Sequence, residues 1–252
     1  VKFMKKMKFS LLVIYTFILL VLIVCFGVLN KYLNNNYKDI EKETNELINY
    51  KIDTNFNYKE TIDRLQSQYN NKDIIGILKI KNANYSMLIV QTNNNDFYLN
   101  HNLYKEKNVA GAAFLDYRTN INTSKKLIIY GHNSLSIKAP FNILEKFYDK
   151  SFYDNNKKIE LITDTTKKVY EVFSVYVETI DFSYMNLDFN NDDEYLTHIN
   201  KLKNRSIYDE EIELTSNDEI LILQTCSSLK KYRNYEKKYL LIILRRVLNE
   251  EI

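Results

Sequence analysis

Two side chains in this sequence have the type and the setting for nucleophilic chemistry. Cys226 closes an apolar run, EILILQTC, and the chain turns polar directly after it with Ser-Ser-Leu-Lys-Lys. A structural thiol usually sits inside such a run, whereas one at its end meets solvent. The only other cysteine, Cys25, lies in a long uncharged stretch near the N-terminus. Cys226 therefore has no disulfide partner and is either a buried passenger or a free reactive thiol. A free thiol has a pKa of about 8.5 and is only a few per cent ionised at neutral pH, so a nucleophilic cysteine needs a histidine or an arginine nearby. Of the three histidines, His132 follows the strand-like LIIY and Gly131, a residue that permits a sharp turn. Strand ends are where barrel and sheet enzymes present catalytic side chains. His101 lies in an Asn-rich loop, YLNHNLY, and is expected to be exposed. His198 lies mid-helix, one position before Ile199, and is expected on the helix flank.

These residues must be held by the elements around them. Short β-rich runs are expected over residues 74–80, 86–91, 112–116, 126–130, 158–163, 169–178, 219–225 and 239–247. Eight short strands separated by turn-like spacers predict a mainly β fold, a closed or nearly closed eight-stranded barrel. Two helical inserts interrupt them. One begins near Pro140, which suits a first helical position, with Phe141, Leu144 and Phe147 on its apolar face. The other runs over about residues 192–203. Asn191 is its expected cap, with Glu194 three residues on, acids in the first turn and lysines in the last. Its buried face is Tyr195, Leu196, Ile199 and Leu202. Before the barrel, Ile40, Leu47, Ile48, Tyr58, Ile62, Leu65 and Tyr69 recur at helical intervals and suggest one or two amphipathic helices. A solvated stalk is the alternative for residues 30–50.

The 252-residue chain is 45% hydrophobic and 27% charged, which fits a folded domain and not wholesale disorder. Removing Lys2, Lys5, Lys6 and Lys8 takes its formal charge from +3 to −1. So balanced a remainder argues against nucleic acid as a partner. Residues 9–29 carry no charge and are almost wholly apolar, long enough to cross a bilayer. Lysines crowd the N-terminal flank, so the positive-inside rule places residues 1–8 in the cytoplasm and the rest outside. No small-x-small site ends the run, which favours an uncleaved anchor over a signal peptide. Val24 before Cys25 speaks against a lipoprotein signal. The expected organisation is a cytoplasmic tail (1–8), a transmembrane signal anchor (9–29), a juxtamembrane helical segment (30–71) and a catalytic domain (72–252).

The combination of YGHN at 130–133, ILQTC at 222–226 and an arginine soon after resembles the sortases, membrane-anchored cysteine transpeptidases of Gram-positive bacteria built on an eight-stranded barrel. ILQTC keeps Leu223, Thr225 and Cys226 of the family's TLxTC signature. The order of elements is similar to class B, with N-terminal helices and a helix-bearing insert between strands six and seven. The segments AAFLDYR (112–118), APFNIL (139–144), VFSVY (172–176) and Tyr184-Met185 through Asp188-Phe189 also resemble class B, and the likeness covers about residues 72–252.

The resemblance implies that Cys226 attacks the threonine carbonyl of a sorting motif at the C-terminal end of a secreted protein. The resulting thioacyl enzyme is resolved by an amine, normally from a peptidoglycan cross-bridge. It also implies that His132 moves the proton and that an arginine steadies the oxyanion. It implies no metal or organic cofactor. The arginine is where this chain departs from the pattern. Counting from Cys226 gives Arg233, whereas matching the last strand places Tyr239 at that position; the first is the expectation and the second the alternative. Substrate contacts carried over from the resemblance are Asn95, Leu99, Tyr130, Tyr184, Met185, Thr225 and Tyr239. Two other functions stay open. One is a pilin-polymerising or otherwise specialised sortase, disfavoured because the sole proline, Pro140, supplies no Asp-Pro-aromatic lid. The other is a catalytically impaired sortase-fold binding module. A papain-like peptidase is disfavoured because its cysteine precedes its histidine.

Overall fold

The structure is a computed structural model and describes residue 11, residues 13–32, residue 34 and residues 57–247. The expected tail over 1–8 and the candidate helix positions Ile40, Leu47 and Ile48 lie outside the described residues. Helix α1, Val13–Tyr32, has a mean hydropathy of 2.7 and none of it is buried by protein. Twenty residues at 1.5 Å each match the roughly 30 Å of a bilayer core. The helix continues past the expected end of the apolar run. Helix α2, Tyr58–Gln68, buries Thr61, Ile62 and Leu65 and is capped by the Asn57 side chain, which accepts from the Glu60 amide at 3.1 Å.

Eight strands follow: β1 Ile74–Ile80, β2 Tyr85–Val90, β3 Ala113–Leu115, β4 Lys126–Tyr130, β5 Lys158–Thr163, β6 Lys167–Glu178, β7 Ile220–Cys226 and β8 Tyr239–Val247. They close into a barrel in the order β1-β2-β3-β4-β7-β8-β6-β5. The expected eight-stranded barrel is thus the fold, and four of the strands begin and end where the sequence predicts. Two pairings are parallel, β2 with β3 and β4 with β7. Both faces of β4 and β7 are buried. Leu127, Ile129, Leu221 and Leu223 enter one core cluster, and Ile128, Tyr130, Ile220 and Ile222 enter the other. This is why both strands read as unbroken apolar runs instead of alternating ones.

Three local expectations are corrected. Pro140 does not open a helix. It stands in a turn before a 3-10 helix, Asn142–Tyr148, because Asn142 ties back to the loop by donating to the carbonyls of Ser134 at 3.0 Å and Ile137 at 3.1 Å. Asp149 then adopts an extended conformation and caps a new helix, α3, Lys150–Asn155, accepting from the Phe152 amide at 2.8 Å. Strand β6 starts two residues earlier than predicted, since Lys168 enters the interior by pairing with Glu219 at 2.7 Å. Helix α4, Asp192–Lys203, has its predicted bounds and its Asn191 cap, but His198 is not on an exposed flank. It is 8% exposed, and its Nε2 meets Lys126 Nζ at 2.8 Å.

That contact joins the insert to the barrel. Lys126 Nζ also donates to the carbonyls of Tyr184 at 2.8 Å and Asn186 at 2.6 Å, so all three of its protons have acceptors. Burial pushes Lys126 down to about 7, with the charge of Arg118 adding to the effect. Burial likewise pushes His198 down to about 3, helped by the charges of Lys126 and Lys201. The imidazole is therefore neutral and accepts at Nε2. A histidine whose folded pKa lies below its unfolded value stabilises the fold fully above the unfolded pKa and loses that contribution as pH falls. The window runs from about 6.5 to about 3. Replacing His198 with Gln, which keeps an acceptor and does not titrate, is expected to flatten the pH dependence of unfolding free energy there by up to about 1.4 kcal/mol per pH unit. Denaturant titrations at several pH values check this, and equal slopes in both proteins count against it.

Candidate active site

The parallel pairing of β4 with β7 builds the site. Its register runs from Lys126 opposite Ile220 to Tyr130 opposite Gln224, so the carboxyl ends of both strands finish level. One further rung joins them, the Gly131 amide donating to the Gln224 carbonyl at 3.2 Å. His132 and Cys226 come next, each two positions beyond a paired residue. Alternation along the strands puts both on the face of Ile128, Tyr130 and Ile222. On the other side of β7, Cys226 pairs directly with Tyr239, the first residue of β8. Directly opposed residues in an antiparallel pair share a face, with Cβ atoms about 5 Å apart. A thiol, an imidazole and a phenol thus gather at one barrel end, although more than ninety residues of chain separate the first two.

Each is held by specific contacts. His132 Nε2 lies 2.7 Å from the Leu99 carbonyl, which can only accept. The proton is therefore on Nε2, and Nδ1 is the nitrogen left to exchange protons. Gly131 permits a close approach: a Cβ there would meet the Phe141 ring at 2.8 Å. Thr225 is buried, and its hydroxyl donates to the Gly131 carbonyl at 2.7 Å. Cys226 reaches solvent, yet protein packs around it closely enough that desolvation is the larger influence and pushes the thiol above its ordinary value. The positive charge of Lys238 works in the other direction. Burial and the neighbouring Cys226 also raise the Tyr239 phenol, which keeps it protonated and a donor at neutral pH. Its ring packs edge-on against Phe182, with centroids 5.8 Å apart.

The other sequence-predicted residues divide into two groups. Leu99, Met185 and Asn95 are at least partly accessible. Asn95 accepts from the Tyr117 amide at 3.0 Å, and the Met185 carbonyl accepts from Arg118 at 3.3 Å. Tyr130, Tyr184 and Thr225 are buried with their hydroxyls engaged. Tyr130 donates to Asp116 at 2.8 Å and Tyr184 to the Gln224 side chain at 2.7 Å. Burial alone would raise Asp116; bonds from Arg118 and Tyr130 outweigh it and hold the carboxyl below its usual range. Arg233 is exposed at the end of a short 3-10 helix, Lys230–Tyr232, and its side chain makes no hydrogen bond or ion pair among the described residues. His101 is not fully exposed as expected. It stacks on Phe97 at 4.0 Å between centroids, and its Nδ1 meets the Phe97 carbonyl at 2.7 Å. Asn133, Glu145 and Lys238 are site residues that sequence reasoning missed. Lys238 reads as one of five loop cations, and nothing but the folded loop sets it apart. Among the described residues no cluster of acids, histidines and cysteines could hold a metal.

The sequence matches the sortase domain family over residues 78–243. The chain belongs to the sortases. Sortase B of Listeria monocytogenes is 34% identical over 180 residues, covering 71% of this chain and 73% of the relative. The structure of a Staphylococcus aureus sortase B–substrate complex superposes with a TM-score of 0.70 at 26% identity, covering 86% of this chain and 97% of that one. A sortase B complexed with triglycine gives 0.71 at 26% identity, with 86% and 98% covered. The chain is accordingly a class B sortase, a cysteine transpeptidase by family.

Two outcomes follow for this sortase. Gly131→Ala forces the new methyl into the buried Phe141 ring and is expected to destabilise by about 1–3 kcal/mol, with partial recovery when Phe141 is replaced by Leu. Chemical denaturation of the single and double variants measures both. Lys238→Met is expected to move the pH dependence of Cys226 alkylation by iodoacetamide upward, since it removes the charge that favours the thiolate. An unshifted profile would show that Lys238 does not act on the thiol.

Proposed function

We propose that this sortase joins secreted proteins to a cell-wall amine through a thioester on Cys226. The observation that carries the reading is the level ending of β4 and β7, with His132 and Cys226 each two positions beyond their last regular rung and Tyr239 paired with Cys226. Sγ attacks the threonine carbonyl of a C-terminal sorting motif as the thiol proton passes to His132 Nδ1, and the peptide C–N bond breaks. His132 Nδ1 gives that proton to the leaving amine, and the segment beyond the threonine departs. An incoming amine then attacks the thioester and yields its proton to His132, which passes it to the departing sulfur as the C–S bond breaks and the thiol is restored. The amine comes from a peptidoglycan cross-bridge. The solved complexes of sortase B with a substrate and with triglycine support both halves of this scheme. Water replaces the amine slowly when none is present.

The oxyanion needs a hydrogen-bond donor. Tyr239 is favoured by its position opposite Cys226 and by its protonated phenol. Arg233 takes the role only if its loop folds over the bound acyl group. Leu99, Met185 and Asn95 line the path of the sorting peptide, while Tyr130, Tyr184 and Thr225 shape it from beneath. Helix α1 anchors the enzyme, with residues 1–8 in the cytoplasm, residues 30–71 leading outward and residues 72–252 acting outside the cell.

Intact-mass spectrometry of the full chain in detergent, incubated with sorting-motif peptides, tests the reading. A mass gain equal to the acyl fragment is expected, absent in Cys226→Ala and discharged by triglycine. Tyr239→Phe is expected to slow acylation about 100- to 1,000-fold, the range for losing one oxyanion donor. If Arg233→Ala shows that loss and Tyr239→Phe does not, the donor is Arg233. A folded protein whose Cys226 neither acylates nor alkylates faster than a free thiol sinks the enzymatic reading and favours a binding module.

A further inference from the structure

Beyond Tyr130 and Gln224 the regular ladder between β4 and β7 has ended, yet the two catalytic candidates lie further along. Side chains carry the pairing onward. The Thr225 hydroxyl donates to the Gly131 carbonyl at 2.7 Å, and Asn133 Nδ2 donates to the Cys226 carbonyl at 2.9 Å. The second proton of that same amide goes to Glu145 Oε1 at 2.9 Å. Glu145 Oε1 also accepts from the backbone amide of Ser228 at 2.7 Å. Both partners of Asn133 Nδ2 are pure acceptors, so the orientation of the amide follows from its surroundings.

The result is a closed loop of bonds. It runs from the Cys226 carbonyl through Asn133 and Glu145 to Ser228, and returns along two peptide units to Cys226. Glu145 belongs to the 3-10 helix Asn142–Tyr148, whose last residue, Tyr148, shares a hydrogen bond with the Ser227 hydroxyl at 2.9 Å. One short helix thus grips the residue after His132 and both residues after Cys226. Bonds to a carboxylate are about twice as strong as neutral ones, so the acid is well suited to the centre of the bracket. Both Asn133 and Glu145 are half-buried, which spares the carboxylate the full cost of desolvation.

We propose that Asn133 and Glu145 are positioning residues that fix the distance between Cys226 and His132, with Glu145 serving as an acceptor and not as an acid or base. The inference rests on the reading of Cys226 and His132 as the reacting pair. Displacing a reacting group by about 1 Å costs on the order of 100-fold in rate.

The test uses the full chain in detergent, with peptide acylation and iodoacetamide alkylation both followed. Asn133→Ala and Glu145→Ala are expected to lower the acylation kcat about 10- to 100-fold while KM for the peptide stays within about twofold. Glu145→Gln keeps an oxygen acceptor and is expected to recover most of the loss. The double variant Asn133→Ala with Glu145→Ala is expected to lose no more than the worse single one, because both break the same bracket. Alkylation supplies a second reading that needs no peptide. His132→Ala should alter the pH profile of Cys226 alkylation in the parent, and alter it much less in the Asn133→Ala background. A parent in which His132→Ala changes neither alkylation nor acylation overturns the catalytic pair, and this inference with it. A coupled pair whose coupling and kcat survive Asn133→Ala and Glu145→Ala overturns the positioning role alone. Loss of activity in Glu145→Gln equal to that in Glu145→Ala overturns the acceptor role and points to proton transfer.

Discussion

The site depends first on the parallel register of β4 and β7. Parallel strands begin and end in step, so two residues that follow them at equal intervals meet without any loop having to reach. His132 and Cys226 use that geometry. An antiparallel partner would bring the end of one strand to the start of the other. Here the antiparallel neighbour, β8, supplies the start of a strand, and so Tyr239 arrives opposite Cys226 from the other direction. Three chemically distinct groups meet because one pairing is parallel and the next is not.

Polar groups inside the protein serve the same end. The segment between β6 and β7 has little regular structure besides α4, and it is fastened by buried charges. Lys126 holds two of its carbonyls and one histidine. Glu178, at the exit from β6, accepts from the amides of Thr179, Ile180 and Asp181 and pairs with Arg205. Arg118 links Asp116 to the Met185 carbonyl. Such groups are costly to bury unless every bond is made, and a chain shifted by one residue would leave them unpaired. They specify where the insert lies more sharply than apolar contact does.

The barrel was legible in the sequence because apolar β-rich runs are short, bounded and dense, as in KLIIY and ILILQTC. The α4 helix was legible because Asn191, the acids and the lysines mark both of its ends. The start of β6 was hidden because Lys168 looks like a surface residue until Glu219 is known to lie beside it. His198 misled in the same way: its burial depends on Lys126, far earlier in the chain. At the site, Cys226 and His132 stood out by type and by strand end. Asn133 and Glu145 did not, because an asparagine in a loop and a glutamate on a short helix are commonplace. Only the fold brings them to one carbonyl and one amide. The choice between Arg233 and Tyr239 was obscured by a long loop that separates β7 from β8, whose length decouples counting along the chain from position in space.

The closing order of the barrel has a temporal meaning. Strands β7 and β8 are the last two among the described residues, and β7 must insert between β4 and β8 for the ring to be complete. A chain that emerges N-terminus first exposes His132 long before the thiol is synthesised, and the thiol before it has neighbours. The strand ends that carry His132, Cys226 and Tyr239 are therefore brought together only when the last strands of the barrel pair.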